Sequence, residues 1–140
     1  MNERFDTESR KALIDYRLQR AVETLKEADY NAAGNYFNTA VNRLYYAAFY
    51  ATSALMLAYE VECSTHSGIK SMLSLKFVRT GLLDRKHGKT FMQLFENRQT
   101  GDYEDFIYCD EELYSILRPK TEDFIIAIKS LILTNPELNS

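Results

Sequence analysis

The chain has 140 residues, of which 46% are hydrophobic and 26% are charged, as in an ordinary globular protein. It contains only 5 glycines and 2 prolines, too few turn-forming residues for an all-β fold of many short strands. Its net charge of −3 argues against a general nucleic-acid coat protein, which would be basic.

Two long helices are predicted in the first half of the chain. Asp6 or Thr7 can cap the first helix, and apolar residues then recur at helical spacing until the pattern is interrupted near Asn31. The second helix runs to about Glu60 and carries a row of small side chains, which permits close approach of neighbouring helices. The members of that row are Ala40, Ala47, Ala48, Ala51 and Ala54.

A loop, "CSTHSG", separates these helices from the next one. Ser64 or Ser67 can cap that helix, which is predicted to be short and to cover about 69–80. Gly81 then suits the left-handed conformation that commonly ends a helix.

Two more helices complete the predicted fold. One covers about 86–99, and the last begins after Asp110, with a kink or a break expected at Pro119. The sequence therefore predicts an all-α protein, an antiparallel bundle of about five helices. It is expected to form one domain over 1–140, with a core at about 7–134 and a loose C-terminal tail.

Neither a metal site nor a membrane span is expected. Cys63 and Cys109 lie far apart, without a C-x-x-C motif or a nearby pair of histidines, so no zinc site and no cofactor are predicted. No signal peptide is recognisable, and the longest apolar-rich run, around 47–59, is too short to span a bilayer. A cytoplasmic protein with reduced thiols is the expectation.

Both histidines are expected to have ordinary roles. His66 lies in the predicted loop, where a single histidine is usually solvated or stabilises a turn. His87 is flanked by basic residues in "RKHGK" and is expected to be exposed. Neither has a second metal ligand four residues away, and no serine or cysteine is paired with a histidine as an activated nucleophile.

Two groups of polar residues are candidates for a binding site. Asn42, Arg43 and Tyr46 share the middle of the second helix, where Arg43 must reach solvent, a carboxylate or a polar cleft. The stretch "ENRQTGDYEDF" holds Arg98 and Asp102, which could pair across a helix end. Arg98 could equally offer its planar guanidinium to a phosphate, and the residues alone leave both interpretations open.

Four segments in series resemble the HEPN domain in their order and spacing: "NRLYYAAFYA", "THSGI", "KFVRTGLL" and "ENRQTGDYEDF". More narrowly, the chain resembles the small stand-alone HEPN proteins catalogued as the UPF0332 family, over residues 21–131. The resemblance implies an up-and-down helical bundle that forms a homodimer. Many such proteins are encoded beside a minimal nucleotidyltransferase as toxin–antitoxin-like pairs, and others are ribonucleases.

The ribonuclease branch of this family uses an arginine followed, after a short gap, by a histidine. Arg98 matches that arginine, but none of the residues 103–105 is a histidine. Asp102 and Tyr103 instead match the variant motif of the UPF0332-like proteins. Some HEPN proteins are modified on a nearby tyrosine by their nucleotidyltransferase, so the resemblance makes Tyr103 a candidate modification site, ahead of Tyr108.

A binding module is the favoured interpretation. A tyrosine, with a reference pKa of about 10, transfers protons poorly at neutral pH, which argues against ribonuclease action but not against phosphate binding. We expect Arg98, Asp102 and Tyr103 to engage a nucleotide, an RNA or a nucleotidyltransferase partner. One alternative is a metal-independent ribonuclease in which Arg98 clamps the phosphate and Tyr103 or a histidine from elsewhere carries the proton. A helical interaction protein without a ligand is the other.

Overall fold

The computed structural model describes residues 6–98 and 108–135, and within these ranges the chain forms five α-helices and no β-strand. The prediction of an all-α helical bundle is confirmed, whereas the predicted loose tail lies outside the described residues. None of the described helices is long and apolar enough to cross a membrane. The helices are α1 (Thr7–Ala33), α2 (Phe37–Ala58), α3 (His66–Met72), α4 (Arg85–Asn97) and α5 (Glu111–Leu133).

The first two helices form a hairpin whose ends are set by local signals. Asp6 caps α1, and its side chain accepts a hydrogen bond of 2.7 Å from the backbone N–H of Ser9. The helix continues past Asn31, where the sequence pattern is interrupted. The chain turns at Asn35 instead, whose φ of 67° lies in the left-handed region that asparagine tolerates.

The central helix of the bundle is α2. It packs against α1, α4 and α5, and such close approach from several directions requires small side chains. The predicted row of alanines meets this requirement, because every member has no exposed surface. These residues are Ala40, Ala47, Ala48, Ala51 and Ala54.

The α3 helix begins at a cap that the sequence analysis did not select. The side chain of Thr65 accepts a 2.9 Å hydrogen bond from the backbone N–H three residues later. The predicted caps, Ser64 and Ser67, are wrong, because only Thr65 immediately precedes the first helical residue. The helix passes directly into a π-helical segment, Leu73–Val78. Gly81 follows with φ 84°, the left-handed conformation predicted for it.

His87 is buried, so the prediction that it is exposed is wrong. Asp84 caps α4 by accepting a 2.9 Å hydrogen bond from the backbone N–H of Lys86, which places His87 in the first turn. The residue is only 9% exposed, and its ring packs edge-on against Phe124 of α5, with centroids 6.2 Å apart. The basic neighbours of His87 in sequence lie on other faces of α4, whereas Phe91, one turn later, shares its buried face.

An ion pair joins the first helix to the last. Arg118 of α5 donates to both carboxylate oxygens of Asp29 on α1, at 2.7 and 2.9 Å, and the Tyr114 hydroxyl donates to the same carboxylate. The Arg118 guanidinium accordingly lowers the pKa of Asp29. Asp110 caps α5 as predicted, and the helix runs through Pro119 without a break.

Replacing Phe124 with alanine should lower the free energy of unfolding by about 3–5 kcal/mol, because the lost ring leaves a cavity between α4 and α5. Ile126 lies on the same helix but is 58% exposed, so Ile126→Ala should change that free energy by less than about 0.5 kcal/mol. Chemical denaturation followed by circular dichroism measures both values. Equal losses in the two variants would contradict this assignment of the core.

Candidate functional site

The predicted site residues that the structure describes lie on two parts of the bundle. Arg98 directly follows the end of α4. Asp102 and Tyr103 fall outside the described residues, so their contact with Arg98 stays a prediction. The remaining candidates lie on α2: Asn42, Arg43 and Tyr46.

Aromatic rings hold the side chain of Arg98. Its guanidinium lies over the Phe95 ring, 3.8 Å from the centroid, and 5.5 Å from the centroid of Tyr45. One guanidinium nitrogen also donates to the Phe95 carbonyl oxygen at 3.3 Å. Cation–π contacts of this kind position the charge without neutralising it, and they leave guanidinium N–H donors available to a ligand.

His66 lies against the same aromatic residues, a contact that the sequence analysis did not predict. It is half-buried as the first residue of α3, and its ring stacks on Phe49, with 4.3 Å between centroids and 15° between planes. Its Nδ1 shares a 2.7 Å hydrogen bond with the hydroxyl of Tyr45, whose ring faces Arg98. His66 is therefore a packed residue and not the solvated or turn-stabilising one that was expected.

Burial and charge together favour the neutral imidazole. Burial lowers the pKa of His66, and the positive charge of Arg98 lowers it further. Burial raises the pKa of Tyr45 to about 12, so this hydroxyl keeps its proton at neutral pH. It can donate to Nδ1 or, in the other imidazole tautomer, accept from the Nδ1–H group, which leaves Nε2 free to accept a proton.

Two more cations approach the rings. Lys70, one turn after His66 on α3, lies 4.5 Å from the centroid of Phe95, the ring that also supports the Arg98 guanidinium. Arg43 lies 4.8 Å from the centroid of Tyr46, which itself contacts the imidazole of His66 edge-on at 5.9 Å. Arg43 also forms an ion pair with Glu27 of α1, with 3.7 Å between nitrogen and oxygen. The interpretation of Arg43 as an ion-pair partner thus describes a contact that it makes, whereas its place in a polar cleft stays a prediction.

We refer to the side chains gathered here as the Arg98 cluster. They come from α2, α3 and the end of α4, and they place cations and one imidazole on a support of aromatic rings. Asn42 is half-buried beside Arg43, and its part in binding stays a prediction. The members of the Arg98 cluster are Arg98, His66, Lys70, Tyr45, Tyr46, Phe49 and Phe95.

The cluster has the chemistry of an anion site. Guanidinium and ammonium groups donate to phosphate oxygens, an imidazole of lowered pKa can take up a proton, and half-buried rings offer faces to a base. Within residues 6–98 and 108–135, no group of three His, Cys, Asp or Glu residues could hold a metal ion. The oxygen atoms of an anion such as phosphate are ligands that cations arranged in this way are able to bind.

Several members of the cluster were not predicted as site residues. Tyr45 and Phe49 lie in "NRLYYAAFYA" and His66 lies in "THSGI", so two of the four quoted segments did contain them. The available signal was that these segments occur together with the one containing Arg98. This joint occurrence was not used, because each residue was considered separately and His66 was treated as a single histidine in a loop.

Comparison with known proteins adds independent information. A family model described as "HEPN domain" matches residues 14–131. A UPF0332 protein of Thermotoga maritima is 39% identical over 120 residues, covering 86% of this chain and 91% of that protein. Two proteins of Methanocaldococcus jannaschii, each named "Putative toxin", are 29% and 30% identical. The alignments cover 86% and 85% of this chain, and 82% and 88% of those proteins.

Replacing Arg98 with glutamine should raise the pKa of His66, because it removes a nearby positive charge. The chain has only 2 histidines, so NMR titration of the imidazole protons can follow each one. His87 is the internal control, since its lowered pKa arises from burial and Lys86, and it should not change. A shift of both histidines, or of neither, would contradict the described geometry.

The same substitution has a consequence for stability. Between the lowered pKa of His66 and its ordinary value of 6.5, the unfolded chain binds more protons than the native one. Native stability therefore rises with pH across that window, and it should rise less steeply in the Arg98→Gln variant.

Proposed function

This chain belongs to the HEPN domain family, and we propose that its Arg98 cluster binds the phosphate of a nucleotide or an RNA strand. The observation that supports this most directly is the position of the Arg98 guanidinium, 3.8 Å above the Phe95 ring with Lys70 over the same ring. Two cations thereby lie against the same aromatic ring. Their charges attract phosphate more strongly there than they would in open water.

The rings add a second kind of contact. Unpaired bases stack on aromatic side chains, and each such contact contributes about 1–3 kcal/mol. Tyr46 and Phe49 are half-buried, so part of each ring surface remains accessible next to the cations. A ligand that combines a phosphate with a planar base thus finds cations for its phosphate and aromatic rings for its base.

RNA cleavage without a metal is the second candidate function. His66 supports it, since its lowered pKa favours the form that accepts a proton. In this reaction the imidazole takes the proton of a 2′-hydroxyl, and the 2′-oxygen bonds to the adjacent phosphorus as the bond to the 5′-oxygen breaks. The departing oxygen takes a proton from Tyr103 or water, and Arg98 stabilises the phosphate charge. The toxin names of two relatives agree with such an activity.

We also propose that the chain forms a homodimer and works with a nucleotidyltransferase that modifies Tyr103. Its 10 tyrosines and 8 phenylalanines are more than one small core readily encloses. Several large side chains are in fact strongly exposed in the described part, which supports a further interface. The most exposed are Tyr30 at 82%, Tyr108 at 80% and Leu133 at 71%.

Arg98→Ala should weaken RNA binding about tenfold or more, because a charge-assisted hydrogen bond contributes about 1.5–3 kcal/mol. Fluorescence anisotropy with a labelled single-stranded RNA measures the affinity. Lys120→Ala is the matched control, because it also removes one positive charge but lies on α5, away from the cluster. Equal affinities in the Arg98 and Lys120 variants would contradict the proposed site.

Cleavage is tested on the same RNA with a metal chelator present. We expect His66→Gln to abolish cleavage while keeping most of the affinity, since glutamine retains polarity but cannot carry a proton at neutral pH. Cleavage that survives in His66→Gln would exclude His66 as the proton carrier. If the wild-type chain binds RNA and leaves it intact, the binding function alone remains.

Modification of the tyrosine is tested with ATP and a minimal nucleotidyltransferase, the proposed partner. Labelling should appear in the wild type and in Tyr108→Phe, and it should be lost in Tyr103→Phe, because phenylalanine has no hydroxyl to accept the nucleotidyl group. Mass spectrometry locates the modified residue. Label on any other residue would contradict the assignment to Tyr103.

A further inference from the structure

A second site adjoins the Arg98 cluster through Phe49. The ring of Phe49 stacks on His66, and the same residue lines a cavity of about 850 Å³. This volume lies within the range of about 300–1,000 Å³ that is typical of small-molecule sites. The cavity is bounded by α1, the C-terminal half of α2 and residues 60–64, which precede α3.

The wall formed by α1 is basic. Arg10 and Arg17 are two turns apart on that helix, and both line the cavity. Arg10 is 14% exposed and forms a 2.8 Å ion pair with Glu60, but its Nε–H group is buried without a hydrogen-bond partner. Arg17 has no ion pair within the described ranges. Because the Nε–H group of Arg10 is buried, Arg17 is the guanidinium that an anionic ligand oxygen in the cavity can reach.

The floor of the cavity is aromatic and apolar. Phe49, Tyr50 and Leu57 are half-buried, so each presents part of its surface to the space. The guanidinium of Arg20 covers one ring, 5.2 Å from the centroid of Tyr50. Planar groups stack on such surfaces, as nucleic-acid bases do in single-strand binding proteins.

Two carboxylates also line the cavity. Glu60 is paired with Arg10 of the basic wall, whereas Glu62 repels a phosphate but can accept hydrogen bonds from the N–H groups of a base edge. Glu60 has φ 55°, a left-handed conformation that is unfavourable for a residue with a side chain. Its carboxylate is nevertheless held against Arg10. A ligand with a phosphate at one end and a base at the other would therefore lie with its phosphate towards Arg17 and its base towards Glu62.

We propose that this cavity binds one nucleotide of a single-stranded RNA, adjacent to the nucleotide whose phosphate is held by the Arg98 cluster. The inference rests on the proposed function and names its substrate class. A single strand is required because paired bases are stacked on each other and cannot present a face to Tyr50 or an edge to Glu62. Phe49, shared by the cavity and the cluster, lies between the two nucleotides.

The test uses the full chain with two probes, AMP and a labelled single-stranded oligoadenylate. Arg17→Gln should weaken both affinities about tenfold, as expected for the loss of one charge-assisted contact. Arg98→Gln should weaken binding of the oligoadenylate more than binding of AMP, because only the longer strand can occupy the Arg98 cluster and the cavity at the same time. Lys11→Gln is the control, since it removes the same charge from an exposed residue of α1 outside the cavity. Circular dichroism establishes that each variant is folded.

The outcomes separate this inference from the proposed function. If AMP affinity falls in Arg98→Gln and not in Arg17→Gln, the cavity is not a nucleotide site, while phosphate binding at Arg98 stands. The inference also fails if the wild-type chain does not bind millimolar AMP, or if a duplex competes as well as the single strand. If Arg17→Gln weakens both probes and Arg98→Gln weakens neither, the proposed function at Arg98 fails and the cavity remains a nucleotide site.

Discussion

Burial of α2 is the constraint on which the rest of the structure depends. Because α1, α4 and α5 all pack against this helix, most of its surface must be small or apolar. A helix enclosed in this way can contribute to a polar site only where its neighbours are short or have ended. The short α3 and the end of α4 provide such a place, and there α2 presents Tyr46, Phe49 and Tyr50 at the protein surface.

Tyr45 links this packing to the chemistry of the site. Its ring is fully buried against Phe91 and Phe95 of α4, with centroids 5.8 and 6.0 Å away, while its hydroxyl reaches His66. The guanidinium of Arg98 lies over the same ring. One side chain of the core therefore sets the relative positions of a fixed charge and an imidazole, and it does so in surroundings where charges interact more strongly than in water.

Local signals in the sequence predicted the helices well. Contacts between residues far apart in the chain explain what could not be predicted from the sequence. Asp6 and Asp110 act on residues within one turn, so their capping role could be predicted. The contact between Tyr45 and His66 spans 21 residues, and nothing near His66 in sequence indicates it. His87 shows the converse, because its charged neighbours suggested exposure while the helical period places it on the buried face. Arg98 was identified by its residue type and by its match to the family motif, whereas its aromatic support depends on tertiary packing.

At Glu60 an unfavourable left-handed backbone conformation is combined with a side chain that holds Arg10 in position. A glycine would adopt φ 55° without the cost of about 1–2 kcal/mol that a side chain incurs there. It would also remove the carboxylate that holds Arg10 at 2.8 Å, and with it the link between the end of α2 and the beginning of α1. Engineering that considered only backbone strain would select that glycine, and the resulting protein would lose the contact that positions Arg10 in the cavity wall.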